Sequence, residues 1–383
     1  MSAPSNARIP LLVPDLPTAD ELLPWLQRID KNRWYTNFGP LVLEFESALT
    51  RYLSNRPSGP SQGEICLTTV SSGTAAIELA ILALALPERS RVLLPAFTFP
   101  ATCTAIQRAG LSPVFSDVDE KSWMLTPAIA RTVLRHGRYD LVMPVATFGC
   151  PQPADAWDEF SRETGIPVLI DAAAAFDNQD IGQRGVVAFS LHATKTFGVG
   201  EGGLVVARNG AIIERVRQLS NFGIGPNGII NQSGDNAKMS EYHAAVGLAQ
   251  LTRWARLRER NRMIWQTYRR CLKPPGEQIG FQRGPEEWVH SQMPITMRAA
   301  NVPRLAAWLG EAGVETRRWY YPPLPKHPAF SAIPCIGPDG KKDLPVTARL
   351  ADGLLGLPFH TSLKEPQIEF ICDRLGEGLS SVQ

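Results

Sequence analysis

The chain has 383 residues, 44 % hydrophobic and 20 % charged, which is enough apolar material for two packed domains and excludes a disordered polymer. Its formal net charge is +2, a balance that excludes a dedicated nucleic-acid binder but leaves room for a local anion pocket. The most apolar run, residues 75–86, includes Glu78 and falls short of the ~20 residues that a bilayer span needs. Residues 1–8 show no charged segment leading into an apolar one. The six cysteines (Cys66, Cys103, Cys150, Cys271, Cys335 and Cys372) are scattered without a C-x-x-C pair. These features lead us to expect a cytoplasmic protein with free thiols and no metal framework.

Seven short apolar, β-branched runs follow one another: 65–70, 91–96, 113–118, 141–146, 167–172, 186–190 and 203–207. Between the earlier ones lie stretches of helical composition at 75–86, 101–109, 127–135 and 154–164. This alternation predicts a largely parallel sheet with helices on both faces, and the unbroken apolar character of the runs predicts strands buried on both sides. From Met239 to about Arg262 the spacing of Ala245, Leu248, Leu251 and Leu257 predicts one long amphipathic helix. Beyond Lys273-Pro-Pro-Gly276 the elements become shorter and richer in proline. The expected division is a large domain over 1–260 and a small C-terminal α+β domain over 261–383.

Sheets of this kind bind ligands beyond the carboxyl ends of their strands, so the residues after each run carry the chemistry. Val70-Ser-Ser-Gly-Thr-Ala-Ala76 turns from strand into helix, where free N–H groups and the helix dipole suit an anion and Thr74 adds a hydroxyl. Asp171 ends an apolar strand and needs a cationic or hydrogen-bonding partner there. The alanines from Ala172 to Ala175 leave room for something flat. Lys195 lies between Ser190 and a glycine-rich turn, where it can approach a planar ligand closely. An anion cradle, a carboxylate and a lysine at three strand ends make the kit of pyridoxal 5'-phosphate (PLP) catalysis.

Taken with Gly39-Pro-Leu-Val-Leu-Glu-Phe-Glu46, Pro95-Ala-Phe-Thr-Phe-Pro-Ala-Thr102 and Asn236-Ala-Lys-Met-Ser-Glu241, these motifs resemble the DegT/StrS group of fold-type-I PLP enzymes, which aminate nucleotide-linked keto-sugars. The resemblance implies a seven-stranded, mostly parallel sheet between helices. It assigns Lys195 to the covalent hold on PLP and to proton transfer, and Asp171 to the pyridine nitrogen. Ser190, Thr74 and the amides of Gly73 to Ala75 would hold the phosphate, and Phe99 and Ala173 would cover the ring faces. Asn236 would reach the phosphate in a neighbouring subunit, which makes the protein a homodimer with shared sites. The implied reaction moves an amino group from glutamate to a keto-deoxy-sugar nucleotide. A sugar dehydratase of the same fold would carry His in place of Lys195. A non-catalytic sensory protein on the same scaffold would not need Lys195 and Asp171 together. Three positions depart from the group's pattern: Ala174, where Gln or His is usual; Lys238, where Arg is usual; and Tyr320-Tyr-Pro-Pro323, where the group has His-Tyr-Pro-Pro.

Overall fold

The computed structural model of the chain describes residues 8–56, 64–272, 279–285 and 288–380. Two helices precede the first strand: α1 (Ala19–Asn32), started by a capping box between Thr18 and Glu21, and α2 (Pro40–Ser54), whose proline occupies the first turn. Strands and helices then alternate: β1 (Cys66–Val70), α3 (Gly73–Ala83), β2 (Arg91–Pro95), α4 (Pro100–Arg108), β3 (Ser112–Ser116), α5 (Pro127–Val133), β4 (Leu141–Val142) and α6 (Ala154–Thr164). Three strands follow in succession, β5 (Leu169–Asp171), β6 (Val186–Ser190) and β7 (Gly203–Ala207), and then α7 (Gly210–Leu219) and the long α8 (Glu241–Cys271). The remainder forms β8 (Met293–Thr296), α9 (Val302–Glu311), β9 (Cys335–Ile336), α10 (Pro345–Gly353), β10 (Leu354–Leu357) and α11 (Glu365–Ser380).

The strands assemble in the order β1-β7-β6-β5 and β4-β2-β3-β9, and parallel bridges from Val142 to Val168 and from Val145 to Asp171 join the two rows. Only β7 runs antiparallel to its neighbours β1 and β6. The seven expected strands are all present, and β9, from the last third of the chain, adds a short eighth beside β3. Alternate residues of each strand feed opposite cores: Ile170, Val187 and Val206 face α2 and α8, whereas Leu169, Val186 and Val205 face α3 and α7. Each such side chain, fully buried, contributes about 1.5–3 kcal/mol.

A third core gathers Met293, Ile295, Leu305, Leu355, Leu357, Ile371 and Leu375 around the antiparallel β8–β10 pair. Helix α8 serves both regions. Its Ala244, Ala245, Leu248 and Trp254 pack on the large sheet, while Ile264 and Tyr268 enter the third core. It runs unbroken through residue 260 and ends nine residues beyond the expected Arg262. Among the described residues no helix is long and apolar enough to cross a membrane, and all six cysteines are free thiols.

Candidate active site

Val70, Gly203 and Ser190 lie side by side at the ends of β1, β7 and β6. The chain leaves β1 through Ser71 and Ser72 and enters α3 at Gly73. Ser72 caps that helix, its Oγ accepting from Ala75 N at 3.1 Å. The Ala75 amide is therefore taken, and the amides of Gly73 and Thr74 remain without a partner among the described residues. A Cβ on Gly73 would stand 2.6 Å from Ser190 Cβ, and one on Gly203 would strike the Ser72 carbonyl. Two glycines thus let the Ser190 hydroxyl and the N-terminus of α3 meet in one small cradle. Free amides, two hydroxyls and a helix dipole suit a phosphate.

Asp171 ends β5, 4 % exposed. Its Oδ2 accepts from Thr102 Oγ1 at 2.6 Å and its Oδ1 from Ala173 N at 3.1 Å. Burial pushes its carboxyl above the usual carboxylate range, and the Thr102 hydroxyl, the Ala173 amide and the Lys195 charge oppose that shift. Lys195 stands in the turn after β6, held by Lys195 N to His192 O at 2.8 Å, Ala193 N to Gly200 O at 2.8 Å and Val199 N to Leu191 O at 2.8 Å. Gly200 makes this turn possible with a φ of +97°. Burial pushes the Lys195 ammonium down, and the Asp171 carboxylate pulls it back up.

Phe99 caps α4 and is 54 % exposed, so its ring is free to cover a flat ligand. Ala173 and Ala174 follow Asp171 half-buried, and the Ala174 carbonyl lies against Gly149. Asn236 is exposed; its Oδ1 accepts from Lys238 Nζ at 2.7 Å. The neighbouring Ala237 carbonyl accepts from Ser71 N at 2.7 Å, which lays this segment along the turn into α3. The structure thus gathers Gly73, Thr74 and Ser190 around the cradle, commits the expected Ala75 amide to the Ser72 cap instead, and couples Asp171 with Lys195 electrostatically.

Several contributors escaped the sequence analysis. Phe176, five residues after Asp171, packs on Phe197, two residues after Lys195, at 4.5 Å between ring centroids, and Trp254 packs edge-on against both. That cluster ties the aspartate loop to the lysine turn from beneath. Aromatic residues close to both motifs were the signal available in the sequence. Tyr320 stacks on Phe148 at 5.4 Å, and burial and the Asp171 charge push its hydroxyl pKa up. No group of three or more His, Cys, Asp or Glu side chains among the described residues could hold a metal ion.

Comparison with known proteins gives the same picture. A profile of the DegT/DnrJ/EryC1/StrS aminotransferase family matches residues 18–376. Protein Rv3402c of Mycobacterium tuberculosis is 32 % identical over 367 residues, covering 92 % of this chain and 86 % of that one. The dTDP-4-amino-4,6-dideoxy-D-glucose transaminase of Shigella dysenteriae is 28 % identical, with 95 % and 97 % covered. The crystal structure of DesI, determined in the presence of its TDP-sugar product, superimposes with a TM-score of 0.83 at 29 % identity, covering 99 % of this chain and 97 % of DesI. A phosphate cradle, a buried aspartate and a half-buried lysine at the strand ends suit PLP, and this chain belongs to the DegT/DnrJ/EryC1/StrS family of PLP-dependent aminotransferases.

Proposed function

We propose that the protein moves an amino group from glutamate to a keto-deoxy-sugar nucleotide, as a cytoplasmic homodimer. The observation that carries this is the buried Asp171 coupled by charge to the half-buried Lys195, at the strand ends that also form the Gly73–Ser190 cradle. A sensory protein has no use for a lysine and an aspartate whose charged forms burial disfavours. When bound, PLP supplies an electron sink and a carrier for the amino group.

The chain's own groups supply the rest. The amides of Gly73 and Thr74 and the hydroxyls of Thr74 and Ser190 bind the phosphate. Asp171 holds the proton on the ring nitrogen, and Phe99 and Ala173 cover the ring faces. Lys195 Nζ holds the cofactor between turnovers. With glutamate bound, Nζ would take the proton from its amino-bearing carbon. In the second half-reaction it returns a proton to the carbon that carried the keto group. The sugar nucleotide is supported by the Shigella transaminase and by DesI, whose names and title specify such sugars. A dimer is supported by exposed Trp34, Tyr35, Phe222, Ile229, Ile230 and Tyr242, which a lone chain would leave to water. We propose that the exposed Asn236 acts on the neighbouring subunit's phosphate.

The test is a panel of keto-sugar nucleotides, led by thymidine-linked 4-keto-6-deoxy sugars, incubated with glutamate. We expect stoichiometric 2-oxoglutarate and amino-sugar from at least one member. A PLP-loaded protein that aminates none of them, yet takes an amine from glutamate, would remove the sugar from this proposal.

A further inference from the structure

Two threonines next to the site have an arrangement that packing does not require. Thr98 and Thr102 are each 1 % exposed, on a stretch whose Phe97, Cys103 and Ile106 are fully buried too. Valine would fill either place at the same volume, without a hydroxyl to satisfy. Among the described residues, the side-chain partners of these hydroxyls are each other, at 2.9 Å, and Asp171, at 2.6 Å from Thr102 Oγ1.

The direction of the chain follows from counting protons. A threonine hydroxyl has one proton to give. The ionised carboxylate can only accept, so Thr102 spends its proton on Asp171. The contact between the two threonines must then be donated by Thr98. Hydrogen bonds run one way, from Thr98 to Thr102 to Asp171, and each polarises the next. The 2.6 Å separation lies in the range of a charge-assisted O–H···O⁻ bond. Ala173 N occupies the other oxygen, so one donor on each side fixes the plane of the carboxylate.

We propose that Thr102, backed by Thr98, is a positioning residue that fixes the Asp171 carboxylate and so sets how firmly the protein grips the cofactor's ring nitrogen. The proposal rests on the reading of Asp171 as the ring-nitrogen partner. It also links two parts of the site. Thr102 N donates to Phe99 O at 3.3 Å, so one turn of α4 carries both this hydroxyl and the aromatic ring expected over the cofactor.

The experiment compares apoprotein and PLP-loaded forms of the wild type and of Thr102→Val, Thr102→Ser, Thr98→Val and Asp171→Asn. It measures the PLP dissociation constant, the pH midpoint of the bound cofactor's visible absorbance, and the apoprotein melting temperature. Thr102→Val should weaken PLP binding about tenfold and move the absorbance midpoint by about half a pH unit or more. Thr102→Ser keeps the hydroxyl and should restore both values to within about twofold and a few tenths of a unit. Thr98→Val should move both in the same direction by less.

A wild-type affinity and midpoint in Thr102→Val would overturn the proposal. So would a Thr102→Ser variant that fails to restore the midpoint. If Thr102→Val does not fold, an unmoved midpoint in Thr98→Val decides against the chain. Asp171→Asn separates the two ideas. An unchanged spectrum there removes Asp171 from the ring nitrogen, whereas a changed spectrum with Thr102→Val silent sinks this proposal alone.

Discussion

Lys195 shows how a residue acquires its chemistry from its surroundings. Burial disfavours the ammonium, so the folded chain holds this group below its value in the unfolded chain, and the Asp171 charge offsets part of that shift. In the pH range between those two values the unfolded lysine is protonated and the folded one is an amine. PLP capture by the apoprotein should therefore rise with pH and level off below about 10.4, the value of a free lysine. Borohydride should then fix the cofactor on Lys195, and Lys195→Ala should lose turnover by several powers of ten. A capture curve still climbing through the free-lysine range, or a label on another lysine, would contradict this account. Asp171 and Lys195 were legible in the sequence because each ends or follows an unbroken apolar run. Thr102 stood within a quoted motif but had no role there. Its partner is 69 positions away, and only tertiary pairing brings the two together.

Elements were legible where one physical pattern dominated them. Seven of the eight strands of the main sheet were readable because both faces of each are buried, although β4 and β5 proved shorter than their apolar runs, and the two-residue β9 was not read. Helices α1 and α2 were not assigned, for α1 carries Pro24 in its interior and buries only Ile29, and its amphipathic face acquires meaning only against α8. Helix α8 outran its expected end because Ile264 and Tyr268 continue its buried stripe into a second core. The start of α2 depends on this same helix. Glu241, 1 % exposed in the first turn of α8, accepts from Leu41 N and Val42 N at 2.8 Å each, supplying two donors at the N-terminus of α2 with an acceptor. Glu241→Ala should destabilise the protein by about 2–4 kcal/mol, because two buried amides lose a charged acceptor. Thermal or urea unfolding reads this directly, and a loss under about 1 kcal/mol would show that water replaces the carboxylate.

At the scale of the whole molecule, the question is whether one chain completes its own site. If Asn236 acts across a dimer, a mixture of Lys195→Ala and Asn236→Asp chains should recover activity that neither has alone. Random pairing makes about half the dimers mixed, and each of those keeps one intact site, so about a quarter of wild-type activity should return. Mixed dimers shown to be present but inactive would place Asn236 in its own chain's site. The large sheet also joins the first third of the chain to a segment near its end. Strand β3 pairs with the edge strand β9, which lies more than half the chain later, so the Phe115 amide waits for the Pro334 carbonyl. During synthesis on the ribosome, that edge stays open until nearly the whole polypeptide has emerged. Closing so long a loop is slow, and an uncovered strand edge is where nascent chains adhere to one another. Yield in a cell should therefore depend on chaperone supply and temperature more than on the stability of the finished fold, and chains truncated before Cys335 should accumulate as aggregates.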